Sequence, residues 1–92
     1  MIHAPSYMKS LQLQGLNRLA QVNIPVPVPL EDEVLIKTEV ATICTSDLHD
    51  IKTNAFGIKY PRVMGHEGAG VIVACGSDVT EYTPGTRVAV HP

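Results

Sequence analysis

The stretch Gly65-His66-Glu67-Gly68-Ala69-Gly70-Val71-Ile72-Val73-Ala74-Cys75-Gly76 decides how this chain folds. Its second half is a continuous apolar run, rich in β-branched residues and closed by a glycine. It reads as a buried strand, with Gly68-Ala69-Gly70 leading into it. Glycines at 65, 68 and 70 invite comparison with a dinucleotide-binding loop. The spacing, however, is Gly-x-x-Gly-x-Gly rather than Gly-x-Gly-x-x-Gly, and a strand-like run follows where that loop needs a helix. The stretch therefore predicts β-structure and excludes a nucleotide-binding loop at this place.

Outward from it the chain keeps a strand habit. Residues 33–43 form the strongest strand signal, with Val34, Ile36, Thr38, Val40 and Thr42 on one face. Residues 8–14 and 18–24 alternate, and Gly15-Leu16-Asn17 between them reads as a hairpin turn. Ile24-Pro25-Val26-Pro27-Val28-Pro29 lacks backbone donors at every second position, so it predicts an extended connector. Thr45-Ser46-Asp47 offers helix-capping chemistry before a short helix at 48–52. Residues 54–62 read as irregular, Pro84-Gly85 as a turn, and 86–90 as a last strand. Short strands, many turns and one short helix after Cys44 predict a mainly β barrel or sandwich.

Ninety-two residues argue for a single domain over 1–92, with residues 1–7 expected to fray. Apolar residues make up 45% and charged residues 17%, a globular balance. The net charge of −2 shows no basic patch, which speaks against a nucleic-acid partner. No apolar run has the length of a membrane span, and no secretory signal is evident. A cytoplasmic protein is expected. Cys44 and Cys75 then read as thiols or metal ligands rather than a disulfide framework.

The residues that can do chemistry gather around the opening stretch. His66 and Glu67 are adjacent and flanked by glycines, which allow tight turns and close approach. Cys44 closes the strongest strand. A thiolate, an imidazole and a carboxylate together suit zinc, whereas magnesium or calcium would take oxygen ligands throughout. Cys44 and Glu67 would neutralise the ion's charge. By spacing alone, a buried thiol and a turn histidine remain an equal alternative.

Three segments in order carry a resemblance. Gly65 to Gly76 resembles the zinc signature of the zinc-dependent medium-chain alcohol dehydrogenase family. Ile43-Cys44-Thr45-Ser46-Asp47-Leu48-His49 is similar to that family's first catalytic motif, and Pro84-Gly85-Thr86-Arg87-Val88-Ala89-Val90 to the strand that follows. The resemblance covers residues 8–92. It implies a GroES-like, partly open β-barrel with zinc on Cys44 and His66, alcohol dehydrogenase being a Cys₂His zinc enzyme. The second cysteine ligand would lie outside these residues. Glu67 is a ligand in some members and a neighbour of the metal in others.

The same resemblance implies roles for three further residues. Ser46 would take the proton of an alcohol substrate, and His49 would pass it to solvent. Asp47 would support the zinc-bound histidine from behind. The plain alternatives are a helix cap for Ser46, an exposed helix residue for His49 and a solvated charge for Asp47. Thr45 departs from members that carry arginine there to meet the cofactor phosphates. The Rossmann domain that binds NAD(P) and the four-cysteine structural-zinc lobe are absent from these residues. Two readings of the whole follow. One is part of an NAD(P)-dependent dehydrogenase acting on a small alcohol or carbonyl substrate. The other is a free-standing co-chaperonin-like interaction module or an inactive remnant. In the first reading, the surface that should pack against the missing domain would be exposed and partly apolar, which predicts poor solubility or self-association.

Overall fold

A computed structural model describes residues 6–42, 44–54, 57–65 and 67–90. The elements run β1 (Tyr7–Gly15), β2 (Arg18–Pro25), β3 (Val34–Thr42), α1 (Thr45–Thr53), β4 (Arg62–Val63), β5 (Glu67–Cys75) and β6 (Arg87–Val90). They form two three-stranded antiparallel sheets, ordered β2-β1-β4 and β3-β5-β6.

The first sheet is built on the hairpin that the alternation at 8–14 and 18–24 predicts. Leu16 and Asn17 make its tip, with Asn17 at φ 55. Asparagine tolerates this left-handed conformation, and the tight tip joins two strands that twist together. The Asn17 N–H donates to the Ile51 carbonyl at 2.7 Å, which ties the hairpin tip to the last turns of α1. Tyr7 already pairs with Pro25, and the Ser6 carbonyl accepts from the Val26 N–H at 3.0 Å. Ordered pairing therefore starts inside the 1–7 stretch expected to fray; residues 1–5 lie outside the described ones.

The second sheet differs from expectation in one informative way. β5 starts at Glu67, four residues before the apolar run, so Gly68 and Gly70 lie within the strand. They are there because β3 comes too close for a side chain. A Cβ on Gly68 would stand 2.8 Å from the Val40 carbonyl oxygen, and one on Gly70 would collide with the Lys37 carbonyl. Glycine inside a strand marks such an approach. The β3–β5 ladder shifts register at Leu35/Ile36 and again at Thr38/Val40, beside those glycines.

Ile72 sits deepest in this sheet and Leu13 in the other, at 1% and 0% exposure. Around them the two sheets diverge. A cleft of about 670 Å³ opens between them, walled by Met8 and Leu11 on one side and by Leu35, Ile36, Val73 and Val90 on the other. The mainly β, partly open barrel with one short helix is thus what the chain forms. None of the helices among the described residues is long and apolar enough to cross a membrane.

The helix start also differs. The cap is Cys44, not one of the three residues that follow it. Asn54 ends the helix in the left-handed conformation at φ 50. Its side chain then accepts from the Ile58 N–H at 2.7 Å and donates to the Ile58 carbonyl at 3.1 Å, which turns the chain back toward β4. β4 itself lies partly in the stretch read as irregular, and two residues are too few to show a period.

Candidate metal centre and adjoining pocket

The last residue of β3, Thr42, pairs with the first residue of β5, Glu67. Thr42 Oγ1 donates to Glu67 Oε2 at 3.0 Å, which orients the carboxylate. Cys44 follows Thr42 by two residues, so antiparallel pairing brings the thiol-bearing and carboxylate-bearing chain segments to one end of the sheet. His66 precedes Glu67 in the sequence and lies outside the described residues. Gly65, just before it, has φ 100, a conformation that a side chain disfavours.

Cys44 is held by the helix it opens. Its backbone N–H donates to Asp47 Oδ2 at 3.0 Å, and its carbonyl accepts from the Asp47 N–H at 3.0 Å, within a capping box. This geometry satisfies donors and acceptors that a helix end leaves over. It also sets Cys44 at the positive end of the helix dipole, where negative charge on sulfur is favoured. Asp47 is 7% exposed, which removes the solvated-charge reading for it. Neither Cys44 nor Cys75 is in a disulfide. Cys75 donates to the Tyr82 carbonyl at 3.5 Å, well along β5 from Cys44, and has a structural place.

Ser46 is the second residue of α1, past the cap, so capping does not explain it. It lines a pocket of about 300 Å³ together with Asp47, Asp50, Arg62 and Gly65. His49 is exposed on the helix, and its carbonyl accepts from Thr53 Oγ1 at 2.8 Å. Thr45 is exposed at the first helical position. Sequence reasoning missed three contributors: Thr42, which orients Glu67; Asp50, four residues beyond Ser46; and Arg62. The first was visible as the partner of Glu67 only once the strand register was known.

Zinc fits the donors present. A thiol and a carboxylate stand on adjoining chain ends, the carboxylate fixed by a hydroxyl and the cysteine backbone fixed by a buried aspartate. Such outer contacts orient metal ligands. Among the described residues no group of three or more His, Cys, Asp or Glu side chains is assembled.

Comparison with known proteins bears on the same residues. The family model for the alcohol dehydrogenase GroES-like domain matches residues 30–92. The zinc-type alcohol dehydrogenase-like protein YdjJ of Escherichia coli K12 is 43% identical over 86 residues, covering 89% of this chain and 24% of that protein. Sorbitol dehydrogenase of Ovis aries is 41% identical over 85 residues, covering 90% of this chain and 24% of the enzyme. Among solved structures, the alcohol dehydrogenase rspB of Escherichia coli CFT073, complexed with NADH, superposes with a TM-score of 0.81 at 41% identity. That match covers 92% of this chain and 24% of that one. The chain thus spans about a quarter of the length of the relatives it matches. With the matched family model and the shared fold in agreement, this chain belongs to the alcohol dehydrogenase GroES-like domain family, the N-terminal domain of zinc-type medium-chain alcohol dehydrogenases.

Proposed function

We propose that this chain is the catalytic-metal domain of an NAD(P)-dependent dehydrogenase that interconverts a small alcohol, of the polyol kind, and its carbonyl product. The observation that carries the reading is the Thr42–Glu67 pairing, which puts the segments bearing Cys44 and Glu67 at one sheet end. The sorbitol dehydrogenases among the relatives support the polyol class. Cys44 and His66 hold the zinc, and Glu67 is a ligand or stands beside it. The remaining ligand and the nicotinamide site are assigned to parts of a full dehydrogenase outside these residues.

Bound zinc supplies a Lewis acid that polarises the substrate oxygen. The chain's own residues do the rest. Ser46 Oγ, on the wall of the 300 Å³ pocket, accepts the proton of the reacting hydroxyl. His49, exposed on the same helix, hands that proton to water. A hydroxyl is a poor base by itself, so a relay that empties it promptly is what makes the step useful near neutral pH. Asp47 holds the backbone of Cys44 at 3.0 Å and so keeps the sulfur in place. The co-chaperonin-like alternative is not favoured, because the matched relatives are dehydrogenases.

Metal analysis tests the reading. The purified chain is expected to hold one zinc, and Cys44→Ala or His66→Ala to abolish it. A chain that remains zinc-free after refolding with zinc, or that holds zinc equally well without Cys44, refutes the assignment.

A further inference from the structure

β3 bonds to β5 along one side only. In the sheet order β3-β5-β6, no strand among the described residues lies on its other side. Six consecutive residues, 37–42, are exposed, so both faces of the strand are open there, and Val40 is 58% exposed. β5 beside it is buried through Ile72, Val73 and Ala74. An edge of nine residues presents a row of backbone donors and acceptors to another strand. β2 is the other long edge, but it runs into Pro25 and Pro27, and proline cannot donate to a ladder. β3 contains no proline.

The charges on β3 decide what fits this edge. Lys37 and Glu39 flank Thr38, the middle residue of the strand. They share a face: Lys37 pairs with Val71, Val71 pairs with Arg87, and Arg87 Nη2 stands 3.5 Å from Glu39 Oε1. That ion pair is exposed, at 79% for Arg87 and 47% for Glu39, so it holds Glu39 weakly and leaves its carboxylate open to a second cation. Lys37 has no acidic partner among the described residues. A lysine on an edge ordinarily blunts it, but here a glutamate two residues on can answer it from a second copy. We propose that the free edge of β3 is a homodimer interface, in which two copies join antiparallel with Thr38 opposite Thr38 and two reciprocal Lys37–Glu39 pairs on either side. The proposal stands apart from the metal and dehydrogenase readings above.

Charge selects this one arrangement. Shifting the ladder by two residues either way sets Lys37 against Lys37 or Glu39 against Glu39, and parallel pairing in register brings both like pairs together. Like charges directly opposite destabilise a strand pair, whereas opposite charges and paired threonines support it. The register shift at Thr38/Val40 adds one residue to β3, so Glu39 and Val40 together face Lys37 of the other copy, and Ile36 then meets its Ala41. Pairing of this kind is self-complementary about a two-fold axis and joins two β3-β5-β6 sheets into one. The area suits it as well. The chain exposes 6720 Å² against about 5,200 Å² for a folded monomer of its mass, an excess larger than the roughly 800 Å² that each partner gives to a stable dimer.

Charge reversal tests the interface by sedimentation equilibrium, with reductant present so that Cys44 and Cys75 stay thiols. The unaltered chain is expected to form a dimer of twice its 9.9 kDa. Lys37→Glu and Glu39→Lys each turn two attractive pairs into two repulsive ones, so each should weaken dimerisation about 10-fold or more. An equimolar mixture of the two variants sets glutamates against lysines again and should associate within about 3-fold of the unaltered chain. The double variant, Lys37→Glu with Glu39→Lys, should do the same alone. The mixture separates the interface from the Arg87 contact that Glu39→Lys loses, because mixing does not restore that contact. Circular dichroism checks that each variant keeps its fold. A monomer at every concentration leaves the edge to some other partner and overturns the proposal. So does a dimer that both single variants leave unchanged, or a mixture that associates no better than its components. Should a single variant fail to fold, the double variant carries the test, and a folded but monomeric double variant overturns the proposal.

Discussion

Replacing Asp47 by alanine tests whether the helix cap and the metal centre are one device. Asp47 is 7% exposed, and its Oδ2 accepts from the Cys44 N–H at 3.0 Å. Alanine removes the acceptor and leaves a part-buried N–H without its partner. Losses of capping residues cost about 1 kcal/mol, and hydrogen bonds to a charged acceptor about 1.5–3 kcal/mol. A destabilisation of about 2 kcal/mol follows, equivalent to a fall in Tm of roughly 8–16 °C for a domain of this size. The same bond fixes the backbone that carries the sulfur, so zinc affinity should fall about 10- to 100-fold. Asp47→Asn keeps an acceptor oxygen and should recover part of both losses. The assays are urea denaturation by circular dichroism and competition for zinc with a chromogenic chelator. If Asp47→Ala leaves both midpoint and zinc affinity unchanged, the cap does not position Cys44 and the reasoning fails. If stability falls while zinc affinity holds, the aspartate serves the helix alone.

Three further outcomes follow from the same geometry. Gly70→Ala should destabilise the chain by about 2 kcal/mol or more, because its Cβ meets the Lys37 carbonyl of β3; Gly15→Ala, whose nearest contact is 3.5 Å away, should be near neutral in the same denaturation assay. Thr42→Val removes the hydroxyl that orients Glu67 while keeping a β-branched side chain on β3, so zinc affinity should weaken with little change in the Tm of the zinc-free chain. The chain exposes 6720 Å² against about 5,200 Å² for a folded monomer of its mass. That excess is more than the roughly 800 Å² per partner a stable dimer buries, so sedimentation should show concentration-dependent self-association; a single 9.9 kDa species at every concentration contradicts this.

Much of the architecture was legible because it follows from local pattern. Alternation at 8–14 and 18–24, with a turn residue that tolerates positive φ, predicts the hairpin of β1 and β2 that the structure has. The apolar run at 71–75 predicts the buried part of β5, and Ile72, Val73 and Ala74 are indeed buried. What was not legible depends on distant partners. Gly68 and Gly70 read as an approach to the strand, yet they belong to it, since their reason is the β3 backbone some thirty residues earlier. Cys44 escaped notice as a cap because three better-known cap residues follow it. Its own amide is satisfied by Asp47 from the third helical position, as in a capping box. Within the candidate site, motif order pointed to Cys44, Glu67, Ser46, His49 and Asp47. The contact of Thr42 with Glu67 needed the strand register. His66 lies outside the described residues, so its place in the shell rests on the motif.

Zinc should matter to this domain as a structural tie as well as a reagent. Among the described residues, the only large side chains buried below 2% exposure are Leu13 and Ile72. Each fully buried side chain of that size contributes about 2–3 kcal/mol, too little to leave a wide margin against chain entropy. Cys44 opens α1 and Glu67 opens β5, so a metal held between their segments cross-links the helix to the second sheet. Binding to the folded state alone adds about 2.7 kcal/mol when zinc is present at 100 times its Kd. Adding a chelator should therefore lower Tm by roughly 10–20 °C. The shift should vanish in Cys44→Ala, which has lost the metal already. If chelator and mutation each lower Tm by the full amount and their effects add, Cys44 stabilises the fold by packing and the metal is held elsewhere.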